Sequence, residues 1–235
     1  MEIIIKKTKR ISLRHIRLIF ITALIVTGIC VILWPWFNAW RFDYMQKRVM
    51  GLWDSGNTAS LPAQGSGAWT HAVAVIGGDT ESSIWEENIN PTVDINYIAR
   101  ITEGIITIEK IALRVPILSE YTVANLNISV CSVMKANKMG APGNYVLAGH
   151  YSRVYGRHFN RLRELSAGDV IIIENKNDEY RYIVSDVFTV TEADNWVMKN
   201  EGDKKLITLI TCDYRTDPIG RLIVKGELFE ISSRA

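Results

Sequence analysis

The stretch Thr208-Leu209-Ile210-Thr211-Cys212 ends a run of strand-forming residues on a cysteine, and Arg221 follows shortly after. A thiol in mid-strand packs as a small apolar group. One at a strand end, facing a loop and near a cation, can ionise and act as a nucleophile. Such a thiol needs a base, and the chain has four histidines: His15, His71, His150 and His158. His15 lies in a basic N-terminal segment and His71 in a Gly/Ser/Ala-rich stretch without a clear strand. His150 closes Asn144-Tyr145-Val146-Leu147-Ala148-Gly149-His150, a short apolar run that ends on a glycine. A strand there would deliver the imidazole at its end, as the next motif delivers Cys212. Taken singly, Cys212 reads as a buried small residue and His150 as a turn histidine. Cys212, His150 and Arg221 together form a candidate constellation for acyl transfer.

The Thr-Leu-x-Thr-Cys strand, the Leu-Ala-Gly-His strand and the arginine opening Arg221-Leu222-Ile223-Val224 resemble the three signature elements of the sortases. These are the cysteine transpeptidases of Gram-positive cell surfaces. The motifs occur in the family's order within a segment from Glu109 to Ile231. The resemblance implies Cys212 as nucleophile, His150 as proton carrier, Arg221 as oxyanion donor and Thr211 as a supporting substrate contact. It also implies cleavage of an LPxTG-like sorting signal between Thr and Gly, through a thioester on Cys212. The partners would be surface proteins bearing that signal and an amine of the cell-wall precursor. Subclass A or D is expected. No apolar span follows Cys212, unlike the pilus-polymerising group, and 61 residues between His150 and Cys212 leave little space for the long helical insertion of class B. Cys212-Asp213-Tyr214 does resemble class B.

A guanidinium suits the Arg221 position because it stays charged and offers a planar fork of donors. An unperturbed thiol near pKa ~8.5 beside an imidazole near ~6.5 would be mostly neutral at neutral pH, so the reactive ion pair would be a minority form.

The elements that must position these groups are mainly strands. From residue 103 onward, short β-branched runs are bounded by Gly, Pro, Asn and Asp. Strands are expected near 104–109, 111–116, 144–149, 169–174, 179–191, 206–211 and 221–231. Short helices are expected at 122–126 and 158–165, the second presenting Phe159, Leu162 and Leu165 on one face. This all-β pattern fits a closed barrel or a sandwich; the resemblance selects a closed eight-stranded barrel with short helices. Cys212 and Arg221 would then face one another across a hairpin.

Ahead of the barrel, Leu18 to Phe37 form 20 residues without a charge, long enough for a helix to cross roughly 30 Å of hydrocarbon. Lys6, Lys7, Lys9, Arg10, Arg14 and Arg17 precede it, against the single acid Glu2, which keeps the N-terminus cytoplasmic. The apolar run is too long for a secretory signal core, and Ile29 ahead of Cys30 does not fit a lipoprotein signal. The expected layout is a cytoplasmic segment at 1–17, a transmembrane anchor at 18–37, a juxtamembrane helix and flexible linker at 38–95, and an extracellular barrel at 96–235. A tether rich in Gly, Ser, Ala and Thr occupies 55–82, and a short helix is expected within 90–100.

The net charge of +2 comes mostly from the N-terminus, and no basic stripe indicates nucleic acid. No zinc or EF-hand spacing is present, so no metal or other cofactor is expected. Cys131 and Cys212 could pair in an exported protein, but the alternation Ile128-Ser129-Val130-Cys131-Ser132-Val133 buries Cys131 instead. Arg153, Arg157, Arg161 and Arg163 read as a solvated helix face, although Arg153 and Arg157 follow His150 closely enough to line a groove. Two other functions fit less well. The L,D-transpeptidases keep Cys and His almost adjacent, which this chain does not, and a non-catalytic barrel that binds peptide or wall would use Cys212 only as filler.

Overall fold

A computed structural model describes residues 13–55 and 95–234. The chain divides into two compact units, Met1–Asp43 and Tyr44–Ala235. Helix α1 (Leu13–Asp54) bridges that division. In its first part the large apolar side chains from Phe20 to Phe37 that are described lie exposed. Among the described residues no helix is long and apolar enough to cross a membrane. The side chains of Leu18, Ile19 and Pro35, within the expected span, lie outside the described ones. The expected linker beyond Ser55 and the start of the expected helix at Asn90 also lie outside the described residues.

The second unit is built on eight strands: β1 (Thr102–Ile108), β2 (Leu113–Leu118), β3 (Val130–Ser132), β4 (Gly143–Ala148), β5 (Val170–Glu174), β6 (Asp178–Val190), β7 (Lys205–Asp213) and β8 (Gly220–Ser233). They close as β1-β2-β3-β4-β7-β8-β6-β5, the expected closed eight-stranded barrel. The β2–β3 and β4–β7 pairs are parallel and the rest antiparallel. Parallel neighbours need a crossover. For β2 and β3 it is the short helix α3 (Val123–Ile128), whose N-cap Thr122 accepts from the Asn125 amide. Helix α2 (Ile95–Ile101) leads into β1.

Alternation along the strands divides their side chains between two faces. Tyr145 and Leu147 of β4, Ile207 and Leu209 of β7, and Leu222 and Val224 of β8 fill the barrel interior with Ile106, Ile117 and Tyr182. Ala148, Ile210 and Ile223 take the other face. Cys131 is fully buried and, like Cys212, carries a free thiol.

The expected helix at 158–165 is only a 3-10 turn, Leu162–Glu164. His158 has φ 52 and bridges to Tyr151, a left-handed backbone that an α-helix excludes. Phe159, Leu162 and Leu165 are nonetheless buried together, as their spacing predicts. The last turns of α1 join the barrel unit. Met45, Val49 and Trp53 are buried, Gln46 Nε2 donates to the Ile128 carbonyl, and Asp54 pairs with Arg114 at 3.0 Å. A segment expected only to leave the bilayer is thus part of the folded domain.

Candidate active site

Cys212 and Arg221 are direct cross-strand partners near the turn end of the β7–β8 hairpin. Such partners stand about 5 Å apart at Cβ and project to the same face. The parallel β4–β7 register pairs Ala148 with Ile210, and the Gly149 amide donates to the Ile210 carbonyl at 3.0 Å. His150 follows at once, so β4 delivers it at the level of Cys212. The three residues nominated from sequence therefore come from adjacent strands at one rim.

A backbone hydrogen bond holds His150. The Phe159 amide donates to its carbonyl at 3.2 Å, closing the loop that follows. Gly149 lets this loop approach: a Cβ there would lie 2.7 Å from Phe159 Cδ2 and 3.0 Å from Val130 Cγ1. Gly149→Ala should therefore cost about 1–3 kcal/mol by overpacking. A lower melting temperature together with reduced kcat would report both the strain and the displaced His150.

Burial pushes the His150 pKa below its ordinary value, and the Arg157 guanidinium adds in the same direction. The resting imidazole is therefore neutral at neutral pH. His158 stands edge-on to it, with ring centroids 6.4 Å apart, and is 4% exposed. Burial, then Arg157 and His150, lower its pKa to about 3. The unfolded chain would bind this proton below pH ~6.5, whereas the folded chain refuses it until near pH 3. Stability is thus complete above ~6.5 and is lost progressively as pH falls. At pH 5 the loss from His158 should be about 2 kcal/mol, or about 4–8 °C in Tm. Melting curves at pH 7.5 and 5.0 check this, and His158→Gln should remove that part of the acid sensitivity.

Arg221 is anchored rather than free. Its Nη2 pairs with Glu192 Oε1 at 2.5 Å and its Nη1 donates to the Gly220 carbonyl at 3.4 Å. Glu192 belongs to the connection between β6 and β7, which is pinned to the barrel at several points. Thr191 caps on Asp194, Trp196 stacks on Phe188 at 5.7 Å, and the buried Asn144 side chain donates to the Val197 carbonyl at 3.0 Å. Lys225 reaches up to Glu201 at 2.5 Å.

This connection walls a groove of about 190 Å³ on the outer face of the barrel. Ala148, Ile210 and Ile223 form its floor, while Tyr121, Val197 and Arg221 are among its walls. Cys212 and His150 do not line it. The groove reaches Arg221, whose cross-strand partner is the thiol, so an extended apolar peptide lying in it would end at Cys212.

Thr211 lies on the opposite face of β7 from Cys212. It is 2% exposed, alternation turns it away from Cys212 toward the interior, and its hydroxyl has no hydrogen-bond partner among the described residues. The structure does not bring its side chain into the groove.

Three features were not read from the sequence. One is the Glu192–Arg221 pair. Another is the buried carboxylate of Asp213, directly after the thiol, which accepts from Thr189 Oγ1 at 2.8 Å and pairs with Arg163. Arg163 is therefore not part of a solvated face. Arg161 is also engaged, with Glu164 at 2.6 Å and the Ile111 carbonyl at 2.9 Å. The third is Tyr214, whose ring packs edge-on against Tyr151 at 5.5 Å. Each joins residues distant in sequence, and no local pattern marks them. Among the described residues no group of three His, Cys, Asp or Glu side chains is arranged to hold a metal ion.

Comparison with known proteins agrees with this geometry. The profile of the sortase domain matches residues 106–229, more than half of the chain and nearly all of the barrel. Sortase A of Bacillus anthracis is 37% identical over 125 residues, covering 53% of this chain and 59% of that protein. Sortase A of Listeria monocytogenes is 30% identical over 133 residues, covering 57% and 59%. The match thus spans less than two thirds of either relative. The solved Listeria monocytogenes sortase A superposes with a TM-score of 0.54 at 28% identity, over 57% of this chain and 92% of that structure. With the profile lying across the strands that carry Cys212, His150 and Arg221, the chain belongs to the sortase family.

Proposed function

We propose that the protein is a membrane-anchored cysteine transpeptidase that cleaves an LPxTG-like sorting signal and joins the N-terminal fragment, through its new threonine carbonyl, to a cell-wall amine. The observation that carries this reading is the register. Cys212 faces Arg221 across the hairpin, His150 follows directly after the neighbouring parallel strand, and Arg221 lines an apolar groove.

In the proposed cycle the neutral His150 takes the Cys212 proton, and the thiolate attacks the scissile carbonyl. The oxyanion that forms is stabilised by Arg221. As the C–N bond breaks, the imidazolium returns its proton to the departing amine, leaving a thioester on Cys212. An incoming amine attacks the thioester, loses a proton to His150, and expels the thiolate. Thr211, buried beneath the thiol, supports the strand end rather than reaching substrate through its side chain. A β6–β7 connection holding only the 3-10 turn Asn195–Met198 supports a class A or D enzyme over class B.

The layout follows the same reading. Residues 1–17 stay in the cytoplasm, 18–37 anchor the chain, and the domain beginning near residue 96 works outside the cell. The positive N-terminal flank and the exposed apolar side chains of α1 support it.

A quenched LPxTG peptide library incubated with the full chain in detergent, with and without an amine nucleophile, tests the proposal. Cleavage whose product changes with amine supports transfer. A folded chain that binds peptide but never cleaves would favour the non-catalytic barrel.

A further inference from the structure

Arg221 sits between two strand neighbours. It faces Cys212 across the β7–β8 ladder and Val190 across the β6–β8 ladder. Val190 is the last residue of β6, and Glu192 follows two positions later, where the chain leaves the barrel. Its carboxylate takes Arg221 Nη2 at 2.5 Å, and among the described residues it is the only carboxylate within ion-pair distance of Arg221. The backbone around Glu192 is fixed independently of that pair. Asp194 Oδ2 accepts from the Thr191 amide at 2.9 Å and from its hydroxyl at 2.6 Å, while Trp196 Nε1 donates to Asp194 Oδ1 at 3.2 Å. Trp196 in turn lies flat on Phe188 of β6, with planes 4° apart. Glu192 is therefore presented from a braced turn. The proposed cycle makes Arg221 the oxyanion donor and leaves open what aims it.

We infer that Glu192 is a positioning residue: it holds the Arg221 guanidinium by one edge, so that the remaining N–H donors face the place beside Cys212 where the oxyanion forms. An arginine side chain is long and rich in rotamers, and its head samples several positions unless it is held. The Gly220 carbonyl contact, at 3.4 Å, is too long to fix the plane alone. Removing the carboxylate has two opposing effects: it releases the guanidinium charge for the oxyanion, and it lets the head wander. The Glu192 side chain is more than half exposed, so its charge is screened and the first effect is small. A preorganised oxyanion donor is worth about 10²- to 10³-fold in kcat, so partial loss of its aim is the larger effect.

The effect on rate rests on the function proposed above, whereas the pinning of Arg221 does not. Both are tested on the full chain in detergent with Glu192→Ala, which removes the acceptor, and Glu192→Gln, which keeps an acceptor oxygen without the charge. Glu192→Ala should lower kcat about 5- to 20-fold with KM unchanged, and Glu192→Gln should stay within about 3-fold of wild type. Both should melt within about 2 °C of wild type, because an exposed ion pair contributes little stability. In parallel, phenylglyoxal labelling of Arg221, followed by peptide mass spectrometry, should run about 2- to 5-fold faster in Glu192→Ala, where the guanidinium is no longer held.

A Glu192→Ala kcat equal to wild type, or one lowered no further than that of Glu192→Gln, would overturn the inference, as would a rise in KM alone. If the wild-type chain cleaves no peptide, the labelling decides. Faster labelling in Glu192→Ala then upholds the pinning of Arg221 and rejects the proposed reaction, and equal labelling overturns both.

Discussion

Cys212→Ala should abolish peptide cleavage and transfer, lowering kcat by at least ~10³-fold, while the melting temperature moves by no more than about 2 °C. Nothing else in the described site can replace the thiol. Cys131 is fully buried, its pKa is pushed up to about 12 by burial, and it packs inside the barrel unit. Cys212 is only partly covered and its barrel neighbours, Thr211 and Asp213, carry the packing on that strand end. Removing one sulfur there leaves no large cavity. Activity and stability should therefore separate cleanly in this variant. If the barrel only binds peptide, the mutation would leave its function untouched.

Arg221→Lys should lower kcat by about 10²- to 10³-fold with little change in KM. Lysine keeps the charge and could still meet Glu192, so a simple counter-ion role would survive the exchange. The forked donor set would not. Arg221 uses Nη2 on Glu192 and Nη1 on the Gly220 carbonyl, which fixes the guanidinium plane at the end of the groove. An ammonium is a point charge with rotating donors, and it cannot hold one partner while presenting a second N–H in a fixed direction. Steady-state kinetics on one cleavable peptide would separate kcat from KM and check the prediction. Glu192 is 56% exposed at its side chain, so its pairing with Arg221 is better viewed as orientation than as stability.

Much of the fold was legible because the strands announce themselves locally. Seven of them match β-branched runs bounded by turn residues. The eighth, Val130–Ser132, is three residues long and follows helix α3 without a turn signal. Its alternation read only as burial of Cys131, and the strand number came from the family resemblance. The Cys212–Arg221 pair was legible because a hairpin needs only the two strands and the loop between them. His150 was legible from its glycine and strand, but its level with Cys212 depends on parallel pairing, which no local pattern encodes.

The partners of these groups were not legible for the same reason. Arg163 looked solvated because Asp213 lies 50 residues away, and Glu192 sits 29 residues from Arg221. Thr211 adjoins the nucleophile in sequence, but in a strand neighbouring residues point to opposite faces, which is why its side chain is buried.

The most direct test of the central claim is intact-mass spectrometry of the full chain mixed with a cleavable sorting-signal peptide and quenched in acid within one turnover. The account predicts added mass equal to the N-terminal peptide fragment, located on Cys212, released by hydroxylamine and absent in Cys212→Ala. Cleavage that proceeds with no adduct, or with an adduct on any other residue, would contradict it.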